Sequence, residues 1–207
     1  MWSLEKIVFM KSLLSIPYLY DFAQFMMRGS QFNSRLAKEH IRAKEGDRIL
    51  DIGCGTCSIL DSLPTVSYVG LDLSRPYIEA ARKRYGSRGT FHTMELTTSN
   101  ANQFGLFDLI LAIGVVHHFD NPSATHLFQL SRQALSPGGR LITLDGVYTD
   151  TQSWIVKRLL SADRGKFVRT EEEYLTLATF IFPQVQVTLR EDYFRIPYTT
   201  MIMECSA

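Results

Sequence analysis

The segment Asp51-Ile52-Gly53-Cys54-Gly55-Thr56-Cys57 concentrates more chemistry than any other stretch of the chain. Glycine at 53 and 55 lets the backbone approach a ligand with no side chain in the way. The apolar run 48–53 leads straight into them and reads as a buried strand. A helix is expected to open near Ser58, and the N–H groups of its first turn favour a carboxylate or phosphate. Asp72 ends the next apolar run, 67–73, where an acidic side chain can accept two hydrogen bonds from a ribose diol. Glycines after one strand and an acid after the next suit a dinucleotide or an adenosyl ligand. A dinucleotide fingerprint starting at Gly53 needs glycine at 58, where Ser58 stands. That makes a nicotinamide oxidoreductase the weaker reading. Cys54-x-x-Cys57 also has the spacing of a redox dithiol. No metal is expected, because zinc would need further ligands and no second CxxC exists.

A second group of reactive residues follows the run 107–116. His117 and His118 stand just beyond it, and an imidazole with an ordinary pKa of about 6.5 suits proton acceptance. Adjacent residues point apart, so one of the two at most should face a ligand. Asp145, closing the run 140–147, is a rival base. The stretch 148–170 is long for a connection and reads as a lid. It carries Lys157, Arg158, Arg164, Lys166 and Arg169 against Asp150 and Asp163. Arg164 or Arg169 could hold an anionic substrate; a solvated charged face is the alternative. Tyr20, with Tyr18, is a roof candidate or a core residue in the apolar-rich stretch 1–27.

These residues need a scaffold, and the pattern supplies one. Apolar runs at 48–53, 67–73, 90–96, 107–116 and 140–147 alternate with amphipathic segments, as in buried parallel strands covered by helices. Ser74 opens a helix with Ile78, Ala81 and Tyr85 on one face, stopped at Gly86. Asn121 and Pro122 open another, ended by Ser136-Pro137-Gly138-Gly139. Thr170-Glu171-Glu172-Glu173 is a capping box for a helix to about Phe182. The runs 185–190 and 198–205 have no helix between them and should pair antiparallel. The expectation is an α/β fold: a doubly wound, mostly parallel seven-stranded sheet, its last strand antiparallel. Ligands should lie at the carboxyl ends of the strands.

At 207 residues the chain suits a single domain. It divides into a helical cap (1–45), a core (46–147), the lid (148–170) and a final helix with the closing strand pair (171–207). Lys plus Arg number 22 against 21 Asp plus Glu, so the formal charge of +1 argues against a general nucleic-acid binder. Three cysteines do not make a disulfide framework and fit the cytoplasm. No apolar stretch is long and uncharged enough for a transmembrane helix, and the 1–27 region lacks a signal-peptide cleavage pattern.

The motif DIGCGT (51–56) resembles the first motif of class I S-adenosylmethionine-dependent methyltransferases. The resemblance continues through VGLDLS (69–74), FDLILAIGVVHHF (107–119) and LSPGGRLI (135–142), covering about residues 45–147 in order. It looks closest to the small-molecule branch that includes the quinone-biosynthesis enzymes. It implies a Rossmann-like fold, S-adenosylmethionine as cofactor, and methyl transfer by in-line displacement to a small molecule, with oxygen the favoured acceptor. By position, Asp51 and the Gly53, Cys54 and Gly55 backbone would hold the methionine part. Asp72, with Leu73 beside it, would bind the ribose, and Glu95 with Leu96 would meet the adenine amino group. Ala112, Ile113 and Gly114 would line the methionyl amine and the methyl. Cys57 departs from the family's glycine; a side chain there could narrow the pocket or demand a negative φ. An S-adenosylmethionine-binding subunit without its own turnover therefore stands as the alternative.

Overall fold

The computed structural model describes residues 31–161 and 166–206. Eight strands form one sheet: β1 (Arg48–Ile52), β2 (Ser67–Asp72), β3 (Gly89–Thr93), β4 (Phe107–Ile113), β5 (Leu135–Tyr148), β6 (Arg169–Thr170), β7 (Gln184–Arg190) and β8 (Thr200–Ser206). Their order is β3-β2-β1-β4-β5-β8-β7, and β6 pairs beside the end of β5. All neighbours are parallel except β8, which runs antiparallel to both β5 and β7. Sheet growth reverses direction between β1 and β4, so the carboxyl ends of these two strands form the switch point where a ligand crevice belongs.

Side-chain alternation along the strands divides the core. Ile49, Leu109, Leu111, Ile142, Leu144 and Ile202 face one side. They meet α1 (Phe32–Leu36, running on as a wider turn to Ile41) and α2 (Arg75–Tyr85), which buries Ile78, Ala81 and Tyr85. Leu50, Ile52, Ile110, Ala112 and Leu141 face the other. They meet α3 (Asn121–Ala134) through Leu127, Phe128 and Leu130, and α5 (Glu171–Thr179) through Tyr174 and Ala178. Between β5 and α5 lies α4 (Trp154–Ser161), whose Val156 and Leu160 are buried with Tyr198. Glu204 on β8 ties α1's continuation to the sheet, bonding His40 Nδ1 at 3.0 Å, Arg140 Nη1 at 2.9 Å and Arg42. Burial alone would raise its carboxyl, but the His40 and Arg42 hydrogen bonds and the two arginine charges hold it below the usual range.

The structure departs from the sequence reading at four places. The segment after the glycine loop is a short 3₁₀ turn, Ser58–Ser62, and not a helix. Pro64 excludes the helical conformation for the residue before it, and Leu63 is extended at φ −100°, ψ 151°. Strand β5 starts at Leu135, directly after α3, and carries Ser136-Pro137-Gly138-Gly139 within it. A β-carbon at Gly139 would lie 2.9 Å from the Phe107 carbonyl oxygen, so glycine lets β5 pass close to β4. The two-residue β6 is an eighth strand. Helix α5 stops at Thr179, short of Phe182.

The capping box is formed: Glu173 donates its backbone N–H to Thr170 Oγ1 at 3.3 Å, and the Glu173 carboxylate accepts from the Thr170 N–H at 2.8 Å. Thr170→Ala is therefore expected to lower stability by about 1 kcal/mol in urea unfolding. An unchanged midpoint would show that α5 is held by its packing alone.

Candidate active site

The loop after β1 turns onto β2, with the Gly53 and Cys54 N–H groups donating to the Leu71 carbonyl at 2.7 and 3.0 Å. Gly53 and Gly55 have φ of +68° and +55°, a region side chains disfavour. A β-carbon on Gly53 would also come within 2.7 Å of Val115 Cγ2, so this loop and the turn after β4 touch across the switch point. Gly114, at φ +74°, starts that turn and donates to the Leu144 carbonyl at 2.6 Å. Cys57 takes φ +59°, so the side chain did not force a negative φ. A left-handed non-glycine residue costs roughly 1–2 kcal/mol.

Asp72 spans two backbone groups. Its Oδ2 accepts the Gly55 N–H at 2.9 Å and its Oδ1 accepts the Ser74 N–H at 2.7 Å. Ser74 begins α2 as expected, but its hydroxyl makes no cap hydrogen bond. Each Asp72 oxygen keeps a lone pair. Asp51 is buried on β1 and accepts the Tyr68 hydroxyl. Burial, helped by the Asp72 charge and opposed by the Tyr68 hydrogen bond, pushes its carboxyl up to about 7. Leu73 is exposed beside Asp72. Glu95 is exposed beyond the end of β3, its carbonyl fixed by Asn100 Nδ2 at 2.9 Å, with Leu96 buried next to it. Ala112 is buried and Ile113 half-buried at the end of β4.

His117 and Asp145 are partners, not rivals. His117 Nδ1 lies 2.7 Å from Asp145 Oδ1, and the His117 backbone N–H donates to the same oxygen at 3.2 Å. Both residues are buried. Asp145 Oδ2 is buried with no hydrogen-bond partner among the described residues. His118 is exposed, and its ring lies 4.3 Å from that of His117 between centroids. The two imidazoles do not point apart, because Val116–His118 is a 3₁₀ turn. In such a turn successive side chains are separated by about 120°, less than on a strand.

Arg169 corrects another expectation. Its side chain is not offered to an anion: Nε donates to Asn121 Oδ1 at 2.9 Å. Nη1 donates to the Val116 and Phe167 carbonyls at 3.3 and 3.0 Å, and Nη2 to the Phe119 carbonyl at 2.7 Å. At 5% exposure it is an internal anchor that fixes the turn carrying His117. Its guanidinium also sits over the Tyr174 ring, whose hydroxyl donates to the Gly146 carbonyl at 3.1 Å. Tyr20, Tyr18 and Arg164 lie outside the described residues. Tyr68 and Tyr174 are site-building residues that the sequence reading does not name, and Arg169 is named there only as an anion holder. A phenol on the strand next to Asp51, and an arginine in the two residues before a capping box, were the available signals.

Among the described residues, no group of three or more His, Cys, Asp or Glu could hold a metal ion. No helix among them is long and apolar enough to cross a membrane.

A family profile described as a methyltransferase domain matches residues 50–141. Its span contains the glycine loop, Asp72 and the turn after β4. The profile and the relatives that follow support the class I S-adenosylmethionine-dependent methyltransferase family for this chain. An O-methyltransferase of Pyrenophora dematioidea is 32% identical over 155 residues, 66% of this chain and 57% of that protein. The human probable tRNA methyltransferase 9B is 34% identical over 100 residues, 48% of this chain and 21% of that protein. The chain thus spans little more than half of the first relative and about a fifth of the second. The solved structure of a Haemonchus contortus phosphoethanolamine N-methyltransferase with S-adenosylhomocysteine superposes with a TM-score of 0.69 at 17% identity, covering 91% of this chain and 56% of that one. The mostly parallel sheet matches the Rossmann-like fold of that solved structure.

Two measurements test the site. The folded protein holds the Asp51 proton up to about pH 7, whereas the unfolded chain releases it near pH ~4. Wild type is therefore expected to lose stability relative to Asp51→Asn as pH rises across that window. Urea unfolding at both ends of it reads the effect, and an equal gap at the two pH values would refute the buried-acid assignment. Arg169→Met strips donors from three carbonyls and Asn121, and should cost on the order of 3 kcal/mol. A change below about 1 kcal/mol would show the anchor to be dispensable.

Proposed function

We propose that this chain transfers a methyl group from S-adenosylmethionine to the oxygen of a small molecule, with His117 as the base. The observation that carries the reading is the buried pair of His117, in the turn after β4, and Asp145, on β5. The residues present fit the cofactor. Gly53 and Gly55 offer bare backbone in a left-handed conformation, and Asp51 and Asp72 make an acceptor-rich set suited to an ammonium and a ribose diol. When bound, S-adenosylmethionine supplies an electrophilic methyl group on a sulfonium.

The rest falls to the protein. In this reading Asp145 Oδ1 accepts a hydrogen bond from His117 Nδ1–H, which makes Nε2 the basic nitrogen. The Asp145 Oδ2 atom lacks a donor among the described residues, so the carboxylate gains most when the imidazole becomes charged. A hydroxyl held against Nε2 would lose its proton as the oxygen attacks. Arg169 keeps the His117 turn in place, and positioning of this kind is a large part of what a two-substrate reaction requires. Asp72 accepts the ribose hydroxyls while holding Gly55, and Glu95 and Leu96 meet the adenine. Helix α4, packed against the end of β5, acts as part of a lid. Three free thiols suit the reducing cytoplasm.

A second acceptor class, tRNA, has support in the name of the human relative; the chain's charge of only +1 weighs against it. Calorimetry with S-adenosylhomocysteine and transfer of labelled methyl groups to a panel of small phenols and carboxylic acids, and to bulk tRNA, test both. Wild type should bind S-adenosylhomocysteine, and Asp72→Ala should bind it much more weakly. His117→Gln should keep binding but lose about 10²–10⁴-fold in transfer. Failure of wild type to bind would refute the cofactor assignment. Full activity of His117→Gln would refute the base, and label on tRNA alone would refute the small-molecule acceptor.

A further inference from the structure

Beneath the glycine loop lie two sulfurs that methyl transfer does not use. Cys54 and Cys57 are joined by a tight turn, the Cys57 N–H donating to the Cys54 carbonyl at 2.9 Å. Such a turn keeps the two Cα atoms within about 7 Å, compatible with a disulfide. Both thiols converge on one acceptor, the Gly55 carbonyl, at 3.7 Å from Cys54 Sγ and 4.0 Å from Cys57 Sγ. Both also crowd one point over Gly70: a β-carbon there would be 2.9 Å from Cys54 Sγ and 3.2 Å from Cys57 Sγ. The sulfurs are thus on the same side of the loop and close together. Cys54 is half-buried, whereas Cys57 is fully buried. Cys57 also holds a left-handed backbone that glycine would adopt without strain. Its side chain is what that strained position adds to the loop.

We propose that Cys54 and Cys57 form a peroxide-responsive disulfide that switches off cofactor binding. The proposal rests on the assignment of the glycine loop and Asp72 to S-adenosylmethionine. Hydrogen peroxide, small enough to reach a half-buried thiol, supplies the oxidant. The Cys54 thiolate attacks one peroxide oxygen, the O–O bond breaks, and hydroxide leaves and takes up the released proton as water. The sulfenic acid on Cys54 is then attacked by the Cys57 sulfur: the S–S bond forms, the S–O bond breaks, and the oxygen leaves as a second water. In sum two thiols and one peroxide give one disulfide and two waters.

The bond draws the sulfurs to about 2.05 Å and removes both S–H donors. The Gly55 carbonyl loses both of these contacts while its N–H remains tied to Asp72 Oδ2. Drawing Cys54 and Cys57 together shortens the span that brackets Gly55 and so displaces the backbone that Asp72 holds; Gly55 and Asp72 both belong to the proposed seat of the cofactor. The neighbouring Cys57 thiol, burial, and the charges of Asp51 and Asp72 hold the Cys54 thiol above the ordinary range. Oxidation should therefore be slow at neutral pH and speed up as pH rises.

The test compares reduced, peroxide-treated and dithiothreitol-restored protein. Peptide mass mapping should find Cys54 linked to Cys57 after peroxide. Calorimetry should find S-adenosylhomocysteine binding weakened on the order of ten-fold or more, and recovered by dithiothreitol. Cys57→Gly, which suits the left-handed backbone, should show the same affinity before and after peroxide. S-adenosylhomocysteine bound beforehand should slow the linkage. A linked protein that binds as tightly as the reduced one overturns the switch, as does peroxide that leaves Cys54 and Cys57 unlinked. Reduced protein that does not bind S-adenosylhomocysteine overturns the cofactor assignment and the switch with it, so the two failures are told apart.

Discussion

Strand β1 is hydrogen-bonded in parallel along both edges, to β2 on one side and β4 on the other. A strand in that position has no solvent-facing side, so Ile49, Leu50 and Ile52 are apolar on both faces, and the one acid, Asp51, is buried with them. Parallel pairing also gathers the loops after β1, β2 and β4 at one end of the sheet. Since the sheet extends in opposite directions from β1 and β4, no crossover covers that end between them. The contact between Gly53 and Val115, the tie from Asp72 to Gly55, and the elevated Asp51 carboxyl are all consequences of this crowding. The same end of the sheet is where backbone geometry leaves space and the side chains of Asp51 and Asp72 leave acceptors.

Much of this was legible in the residues. Apolar runs bounded by glycine identify β1, β2, β4 and the middle of β5, because buried parallel strands need apolar residues on both faces. Ser74, Asn121-Pro122 and the Thr170 capping box mark three helix starts, since end groups of a helix need local partners. Spacing could not show which acid would pair with which histidine. His117 and Asp145 lie 28 positions apart, and only the parallel pairing of β4 with β5 brings them together. The missing helix after the glycine loop shows a different blind spot. Ser58 is a sound helix opener, but Pro64 acts from further along the chain and leaves room for one short turn.

Arg169 illustrates how charge can mislead. A basic excess in a connecting segment looks like a surface for anions, yet this guanidinium is buried and spends its hydrogens on carbonyls at the end of β4. Buried turns leave carbonyls that no ladder or helix satisfies, and one planar cation with a fork of donors can collect several at once. Residue 169 lies beyond the segment matched by the family profile. So do Asp145 and Tyr174. The part of the chain that carries the cofactor motifs is therefore held in working shape by residues that those motifs do not contain.

Strand β8 follows β7 in the chain but sits between β7 and β5 in the sheet. The two strands it joins cannot meet without it. During synthesis β5 must wait with an open edge, from Arg140 to Gly146, while α5 and β7 emerge first. That edge is a row of unpaired amides flanked by Leu141, Ile142 and Leu144, the sort of template on which a second chain can pair. The insertion of β8 closes it, and Glu204 on the same strand then gathers His40, Arg42 and Arg140. Assembly of this sheet thus ends in its interior, and its period of greatest exposure to aggregation is the interval before residues 200–206 arrive.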